Sequence, residues 1–470
     1  MMLAIDQGTT STRALLVSDT GQVTHLLGIP HAQHYPHRGW VEHDPEELLR
    51  NIEACLRAGT EAGAKAVGLA NQGESCLGWD ARTGTPVGPV IVWQDARTSD
   101  VISELQQDNA SDEVLTRAGL PLDPYFSASK MGWILRNVPE AQRLAMAGHL
   151  RLGTTDAWIR DRLTGRFETD VTTASRTSLM AIETCEWDTE LCALFGVPID
   201  CLPRIRPTTG TLGEINGLPL TASVTDQQAA LYGHGKHGKG AAKITFGTGA
   251  FALAVTGSLV RADNVLPTVA WQLEGADPVY ALDGGVYAAA SAVNWARELG
   301  LFRTYDAINQ FDGRAIDRGL AFVPALAGLA CPHWDRTARG AWLGLGLDTG
   351  TSDMMQALLE GVALRTGEVI SVIQRSFPLT SPITIDGGMT ANPYFCQMLT
   401  DVLDEETLRS DEPERTALGA AALGAHGLGQ TLELSTSGTA FQPAPLDPSS
   451  RARFSAAREA VSAFGMTTYS

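Results

Sequence analysis

Basic charge, disulfide patterning and long apolar runs are all scarce in this chain. Its 470 residues carry 35 Lys and Arg against 53 Asp and Glu, a formal net charge of −18. An acidic surface repels phosphate backbones and anionic lipid, so neither nucleic acid nor membrane is an expected partner. No run of 18 apolar residues occurs, which leaves no candidate membrane span. The opening segment is interrupted early by Asp6 and follows no basic stretch, so it does not read as a signal peptide. The seven cysteines are dispersed and form no Cys-x-x-Cys pair. That pattern reads as reduced thiols in a cytoplasmic protein. No G-x-x-x-x-G-K-[ST] loop is present, and Gly233-His234-Gly235-Lys236-His237-Gly238 follows a helical stretch and precedes a strand, the reverse of a dinucleotide-binding turn. His31, His34, His37 and His43 crowd one segment, but Pro30, Pro36 and Gly39 break any helix there, so they read poorly as a metal site.

What the chain does have is a device that occurs twice. Leu3-Ala4-Ile5 reads as a strand, Asp6 to Arg13 as a turn, and Ala14 to Val17 as a returning strand. The pattern recurs at Lys243 to Phe246, Gly247-Thr248-Gly249, and Phe251 to Val255. Backbone N–H groups and hydroxyls in such turns can surround phosphate oxygens. A length of 470 residues suits two lobes. A run of closely spaced glycines from Gly233 to Gly240 places the boundary between them, giving an N-terminal lobe over 1–236 and a C-terminal lobe over 237–470. The expected class is α/β: two similar lobes facing each other across a central cleft.

Other elements can be read locally. Asp44-Pro45-Glu46-Glu47 opens a helix, with Asp44 as its cap and Leu48, Ile52, Cys55 and Leu56 on one face. Lys65 to Ala70 reads as a buried strand ending in Asn71-Gln72-Gly73-Glu74, and Ile91-Val92-Trp93 as another short strand. Thr155 to Leu163 reads as a helix stopping at Gly165, and Thr225-Asp226 as the start of another. Pro382 to Asp386 is a strand that ends at Gly387-Gly388-Met389-Thr390. Helices are expected at about Thr416 to Ala425 and Ala456 to Phe464. On its own Asp226 reads either as a first-turn aspartate or as a general base at a cleft edge.

These pieces in this order resemble the FGGY carbohydrate kinases, most of all the branch acting on glycerol. The likeness runs from Asp6 to about Gly427. It is carried by Asp6 to Arg13, Asn71-Gln72 with Glu74, Val92 to Asp95, Asp123-Pro124-Tyr125-Phe126-Ser127, Ala174-Ser175-Arg176-Thr177, Asp226 to Ala230, Gly247-Thr248-Gly249 with Phe251, and Asp386 to Asn392. The resemblance implies two actin-like, ribonuclease H-like ATPase lobes and transfer of the γ-phosphoryl group of ATP to a terminal hydroxyl of a small polyol. Asp6 would help hold Mg2+. Thr9, Thr10, Ser11 and Arg13 would line the phosphate site, and Thr248, Ala290, Asn294, Gly388 and Asn392 the nucleotide site. Glu74, Tyr125, Asp226 and Gln227 would bind polyol hydroxyls, with Asp226 as the base, while Trp93 and Phe251 would cover the carbon chain. The implied partners are a small polyol and further copies of the chain.

Three departures from that pattern matter. Gly73 stands where an arginine would hold a substrate hydroxyl, which points also to a longer polyol or ketose. Ala290 replaces a glycine and Asn294 a glutamine beside the nucleotide. A non-catalytic polyol or nucleotide sensor is the alternative from another class, disfavoured because Asp226, Gln227 and Glu74 are all present. A chaperone-like or cytoskeletal ATPase would need no polyol wall of Trp93, Tyr125 and Phe251.

Overall fold

The structure is a computed structural model and describes residues 1–444 and 446–467. The elements used below are strands β1 (Met2–Gln7), β2 (Ser11–Val17), β3 (Val23–Pro30), β4 (Val67–Asn71), β5 (Leu218–Thr225), β6 (Ala242–Phe246), β7 (Ala250–Gly257), β8 (Ile383–Asp386), β9 (Thr407–Ser410) and β10 (Gly438–Phe441). The helices are α1 (Pro45–Glu61), α2 (Ser127–Asn137), α3 (Asp226–Gly233), α4 (Ala290–Glu298), α5 (Thr351–Ser376), α6 (Pro393–Leu403), α7 (Arg415–Gly427) and α8 (Pro448–Thr467). The chain divides into two compact units. The first comprises Met1–Gly235, Pro267–Tyr280 and Glu414–Ser435; the second comprises the remaining segments.

In the first unit, a six-stranded sheet runs from a short Glu214–Ile215 strand through β5, β4, β1 and β2 to β3. β1 and β2 form an antiparallel hairpin pairing Asp6 with Arg13, closed by a Gly8 N–H to Ser11 carbonyl bond of 3.0 Å. β1 and β5 flank β4 in parallel, with Gln7 and Thr225 both opposite Asn71. These three strands therefore end together at their carboxyl ends, the position where open α/β sheets bind ligands. One sheet face is covered by α1, whose Asp44 cap accepts the Glu46 N–H at 2.9 Å. Leu48, Ile52, Cys55 and Leu56 pack there with Leu3, Ile5, Val67 and Leu69. On α7, a Cβ added at Gly419 would stand 1.8 Å from the Ala229 carbonyl oxygen of α3, so the two helices meet backbone to backbone. A second sheet, ordered Glu42–His43, Val90–Ile91, Cys76–Asp80 and Leu150–Thr154, lies in the same unit. Trp93 falls just beyond the Val90–Ile91 strand, in the turn that follows it.

The second unit repeats the hairpin: β6 and β7 are antiparallel, and β6 is parallel to β8, with Thr245 opposite Asp386. Its sheet continues from β8 to β9 and β10. Gly387 follows β8 at φ +95°, and a Cβ there would meet the Phe246 carbonyl oxygen at 2.3 Å, so glycine alone fits. The long helix α5 is buried on nearly every side from Met355 to Ile373. Its Glu360 is satisfied by the Ala315 and Ile316 N–H groups and by the Tyr394 hydroxyl.

Candidate active site

At the carboxyl ends of β1, β4 and β5 the first unit gathers most of the residues expected to handle phosphate and polyol. Asp6 is 4% exposed at the end of β1 and accepts the Arg13 guanidinium at 2.7 Å, which is also held by Glu414 at 3.0 Å. Burial, with the nearby Glu414 carboxylate, raises the Asp6 pKa more than the Arg13 pairing lowers it. Thr9, Thr10 and Ser11 occupy the turn. The Trp93 indole N–H donates to Thr9 Oγ1 at 3.0 Å, joining the turn to an aromatic wall in which Trp93 and Tyr125 rings lie 5.6 Å apart. Lys130, fully buried on α2, donates to the Tyr125 carbonyl at 2.7 Å and the Val92 carbonyl at 3.4 Å, fixing both aromatic segments. Burial presses its pKa downward.

Glu74 follows Gly73 in the turn after β4, at φ +57°, a conformation unusual for a non-glycine residue and typical of functional turns. Its carboxylate accepts Arg176 Nε at 2.6 Å, and its carbonyl accepts the Ser127 hydroxyl at 2.9 Å. A Cβ at Gly73 would stand 3.0 Å from Thr225 Cγ2, which puts this turn against the residue that caps α3. Asp226 is the first residue of α3 and half-buried; its Oδ1 accepts the Gln227 N–H at 2.6 Å. Sequence reasoning passed over Arg176 as a site residue. It lies a hundred positions from Glu74, and only the fold brings the two together.

At the N-cap of α3 lies a network that the sequence did not announce. Buried Asp170 accepts from the Thr172 hydroxyl, the Thr173 N–H at 3.0 Å and the Thr208 hydroxyl at 2.9 Å; Thr172 Oγ1 in turn accepts the Thr225 N–H at 2.9 Å. Burial, with the nearby Asp156, raises the Asp170 pKa to about 7. The folded chain therefore holds this proton up to about pH 7, whereas an unfolded aspartate loses it near 3.8. Its stabilising contribution is full below about pH 4 and is lost as pH rises toward 7. Urea unfolding of Asp170→Asn against the parent should thus shift in favour of Asn by on the order of 2–3 kcal/mol between pH 5 and pH 8. An offset that stays constant across that range would contradict the raised pKa.

The nucleotide-site candidates all belong to the second unit. A cavity of about 520 Å³ is lined by Ala290, Asn294, Gly388 and Asn392, and also by Val293, Tyr305, Asp306, Ile308, Asn309, Leu359, Met389 and Ala391. Apolar walls with a few polar groups suit a nucleoside. The Asn392 side chain accepts the Phe395 N–H at 2.9 Å, capping α6, and donates to the Ile308 carbonyl at 2.7 Å. Tyr305 donates to Asn294 at 3.2 Å. Thr248 is not among the lining residues; its carbonyl accepts the Ala289 N–H at 2.9 Å, which ties the turn to the start of α4. Phe251 stands on β7 beside Gly285. Tyr305, Asp306 and Asn309 went unmarked in the sequence because they lie in short 3-10 and loop segments with no repeating pattern.

Two α/β units, each opening on a hairpin with a Gly- and Thr-bearing turn, define a two-domain phosphotransferase of the sugar-kinase class. The chain belongs to the FGGY family of carbohydrate kinases: residues 1–231 match its N-terminal domain and 242–428 its C-terminal domain. It is 42% identical over 447 residues to the glycerol kinase of Alkalilimnicola ehrlichii, covering 91% of this chain and 90% of that one. It is also 42% identical to the glycerol kinase of Thermus brockianus, over 89% and 88% of the two chains. In fold it is similar to Plasmodium falciparum glycerol kinase with ADP, at a TM-score of 0.90 and 29% identity over 98% of each chain. A xylulose kinase from Lactobacillus acidophilus, 20% identical over 99% and 98% of the two chains, shares the fold at a TM-score of 0.86. Among the described residues, no helix is long and apolar enough to cross a membrane.

Proposed function

We propose that this chain transfers the γ-phosphoryl group of ATP to a terminal hydroxyl of glycerol, giving glycerol 3-phosphate. The observation that carries the reading is the convergence of Asp6, the Gly8 turn, Glu74 and Asp226 at the carboxyl ends of three adjacent parallel strands, with Trp93 and Tyr125 beside them. Hydroxyl-binding carboxylates next to an aromatic wall match a polyol, which has polar hydroxyls and apolar C–H faces. Asp226 takes the hydroxyl proton as the new O–P bond forms. Glu74, Tyr125 and Gln227 orient the acceptor, and Trp93 and Phe251 pack its carbons. The donor's phosphates are held by Thr9, Thr10, Ser11 and Arg13, and Thr248 contacts the nucleotide. Its nucleoside lies against Ala290, Asn294, Gly388 and Asn392.

Magnesium fits the residues present. Asp6 offers a hard carboxylate oxygen, buried at the end of β1 beside the turn of Thr9, Thr10 and Ser11. That suits an ion that arrives with the nucleotide and keeps most of its water. Bound there, it would neutralise charge on the transferring phosphoryl group.

A second reading, a longer polyol or ketose as acceptor, is favoured by one observation: Gly73 lacks the side chain with which an arginine would reach a substrate hydroxyl. Coupled ADP release with MgATP and a panel of C3 to C6 polyols and ketoses tests both. Glycerol is expected to give the highest kcat/KM. A tetritol, pentitol or ketose exceeding it tenfold would establish the second reading, and no polyol-dependent release would overturn both. A related expectation is that Gly73→Arg raises kcat/KM for glycerol tenfold to a hundredfold, since one charged hydrogen bond contributes about 1.5–3 kcal/mol. The added Cβ would need Thr225 Cγ2, 3.0 Å away, to yield a few tenths of an ångström. No gain, or a loss, would show that position 73 does not set acceptor choice.

A further inference from the structure

Glu74 is 5% exposed, and its carbonyl accepts the Ser127 hydroxyl, so its buried carboxylate calls for a partner of opposite charge. Arg176, itself 5% exposed, supplies one with Nε 2.6 Å from Glu74 Oε1, and the buried Lys130 adds a further positive charge nearby. The guanidinium carbon lies 5.5 Å from the Phe126 ring centroid and 6.0 Å from that of Tyr125, within cation–π range of both. One guanidinium thus contacts the acidic and the aromatic members of the proposed polyol site together. The surrounding backbone holds it there. The Arg176 N–H donates to the Thr173 carbonyl at 3.0 Å, the Ala128 N–H donates to the Thr177 carbonyl at 2.8 Å, and the Ser127 hydroxyl donates to the Glu74 carbonyl at 2.9 Å. Three segments, at 73–75, 125–128 and 171–177, are locked around this one side chain.

We propose that Arg176 is a positioning residue for the acceptor: it fixes the Glu74 carboxylate and the Tyr125 ring in the orientation that receives polyol hydroxyls. The assignment rests on the reading of this unit as a polyol site. A planar guanidinium held between two rings and a carboxylate restricts all three, which a flexible ammonium does not. The role is therefore specific to arginine, and its loss falls on acceptor binding far more than on the nucleotide.

The test uses the full-length chain with glycerol and MgATP. Arg176→Met should raise the KM for glycerol by at least thirtyfold while changing the KM for ATP less than threefold. Arg176→Lys, which restores charge without the fork, should recover only part of the loss. Because Arg176→Met leaves Glu74 buried beside no guanidinium, the double variant Arg176→Met/Glu74→Gln is measured with Glu74→Gln alone. If Arg176 acts through Glu74, adding the Arg176 change to Glu74→Gln costs less than threefold in kcat/KM. The proposal is overturned by an unchanged glycerol KM in Arg176→Met, by equal rises for both substrates, or by full additivity in the cycle. Absence of polyol-dependent turnover in the parent chain is a different result and overturns the underlying reading.

Discussion

Asp226→Asn is expected to lower kcat for phosphoryl transfer by roughly 10²- to 10⁴-fold, while the Kd for ATP stays within about threefold of the parent. The substitution is nearly isosteric, so α3 should keep its place beneath the site. Thr225, at the N-cap position of the helix, donates its own N–H to Thr172 Oγ1. The Gln227 N–H, which Asp226 Oδ1 accepts at 2.6 Å, finds the same acceptor in the Asn amide oxygen. What is lost is the ability to take a proton from the attacking hydroxyl. The proposed nucleotide contacts lie in the turn after β1 and in the second unit, so calorimetric titration with ATP should see little change. A variant with parent-like turnover would remove Asp226 from the role of base; one that loses ATP affinity and activity together would make it structural.

Elements whose signal is local could be read from the sequence. The two hairpins, the Asp44 cap of α1, the stop at Gly165 and the start of α3 at Asp226 each depend on a few neighbouring residues, and each appears where its residues predict. The placement of the candidate site residues in turns at strand ends was legible for the same reason. α5 was not, although it is the longest helix described. It is buried on nearly every side and carries Gln356, Glu360 and Arg365 inward, so it shows no polar face against which a period of 3.6 could be seen. Nothing in the Ala-rich stretch 415–427 says which sheet it covers; α7 packs against α3, β1, β4 and β5 of the first unit. Arg176 illustrates the same limit at the site. Its chemistry follows from contact with Glu74 and Tyr125, and that contact is set by tertiary structure and not by spacing. The buried Asp170 is similar, since a raised pKa requires knowing what surrounds a carboxylate.

Gly419→Ala should destabilise the chain by more than about 3 kcal/mol and leave little soluble protein, the opposite sign from the usual effect of alanine in a helix. Replacing glycine by alanine inside a helix ordinarily gains close to 1 kcal/mol through backbone entropy. Here the new methyl would stand 1.8 Å from the Ala229 carbonyl oxygen and 2.9 Å from the Gly233 nitrogen, both backbone atoms of α3 that no rotamer change can move. The approach is reciprocal, because a Cβ at Gly233 would meet the Arg415 carbonyl oxygen at 1.9 Å. Relief requires α3 and α7 to separate by about 1.5 Å to restore ordinary contact, which would open the buried apolar packing along both helices. It would also displace the start of α3, and with it Asp226. Any folded fraction should therefore show reduced kcat/KM per active molecule, with 1 Å misplacements of reacting groups costing on the order of 10²-fold. Gly88→Ala is the control: a Cβ there meets nothing within 4 Å, and its effect should stay within about 0.5 kcal/mol. Chemical denaturation of the two variants side by side decides the matter, and equal stabilities would refute the close helix contact on which the placement of Asp226 depends.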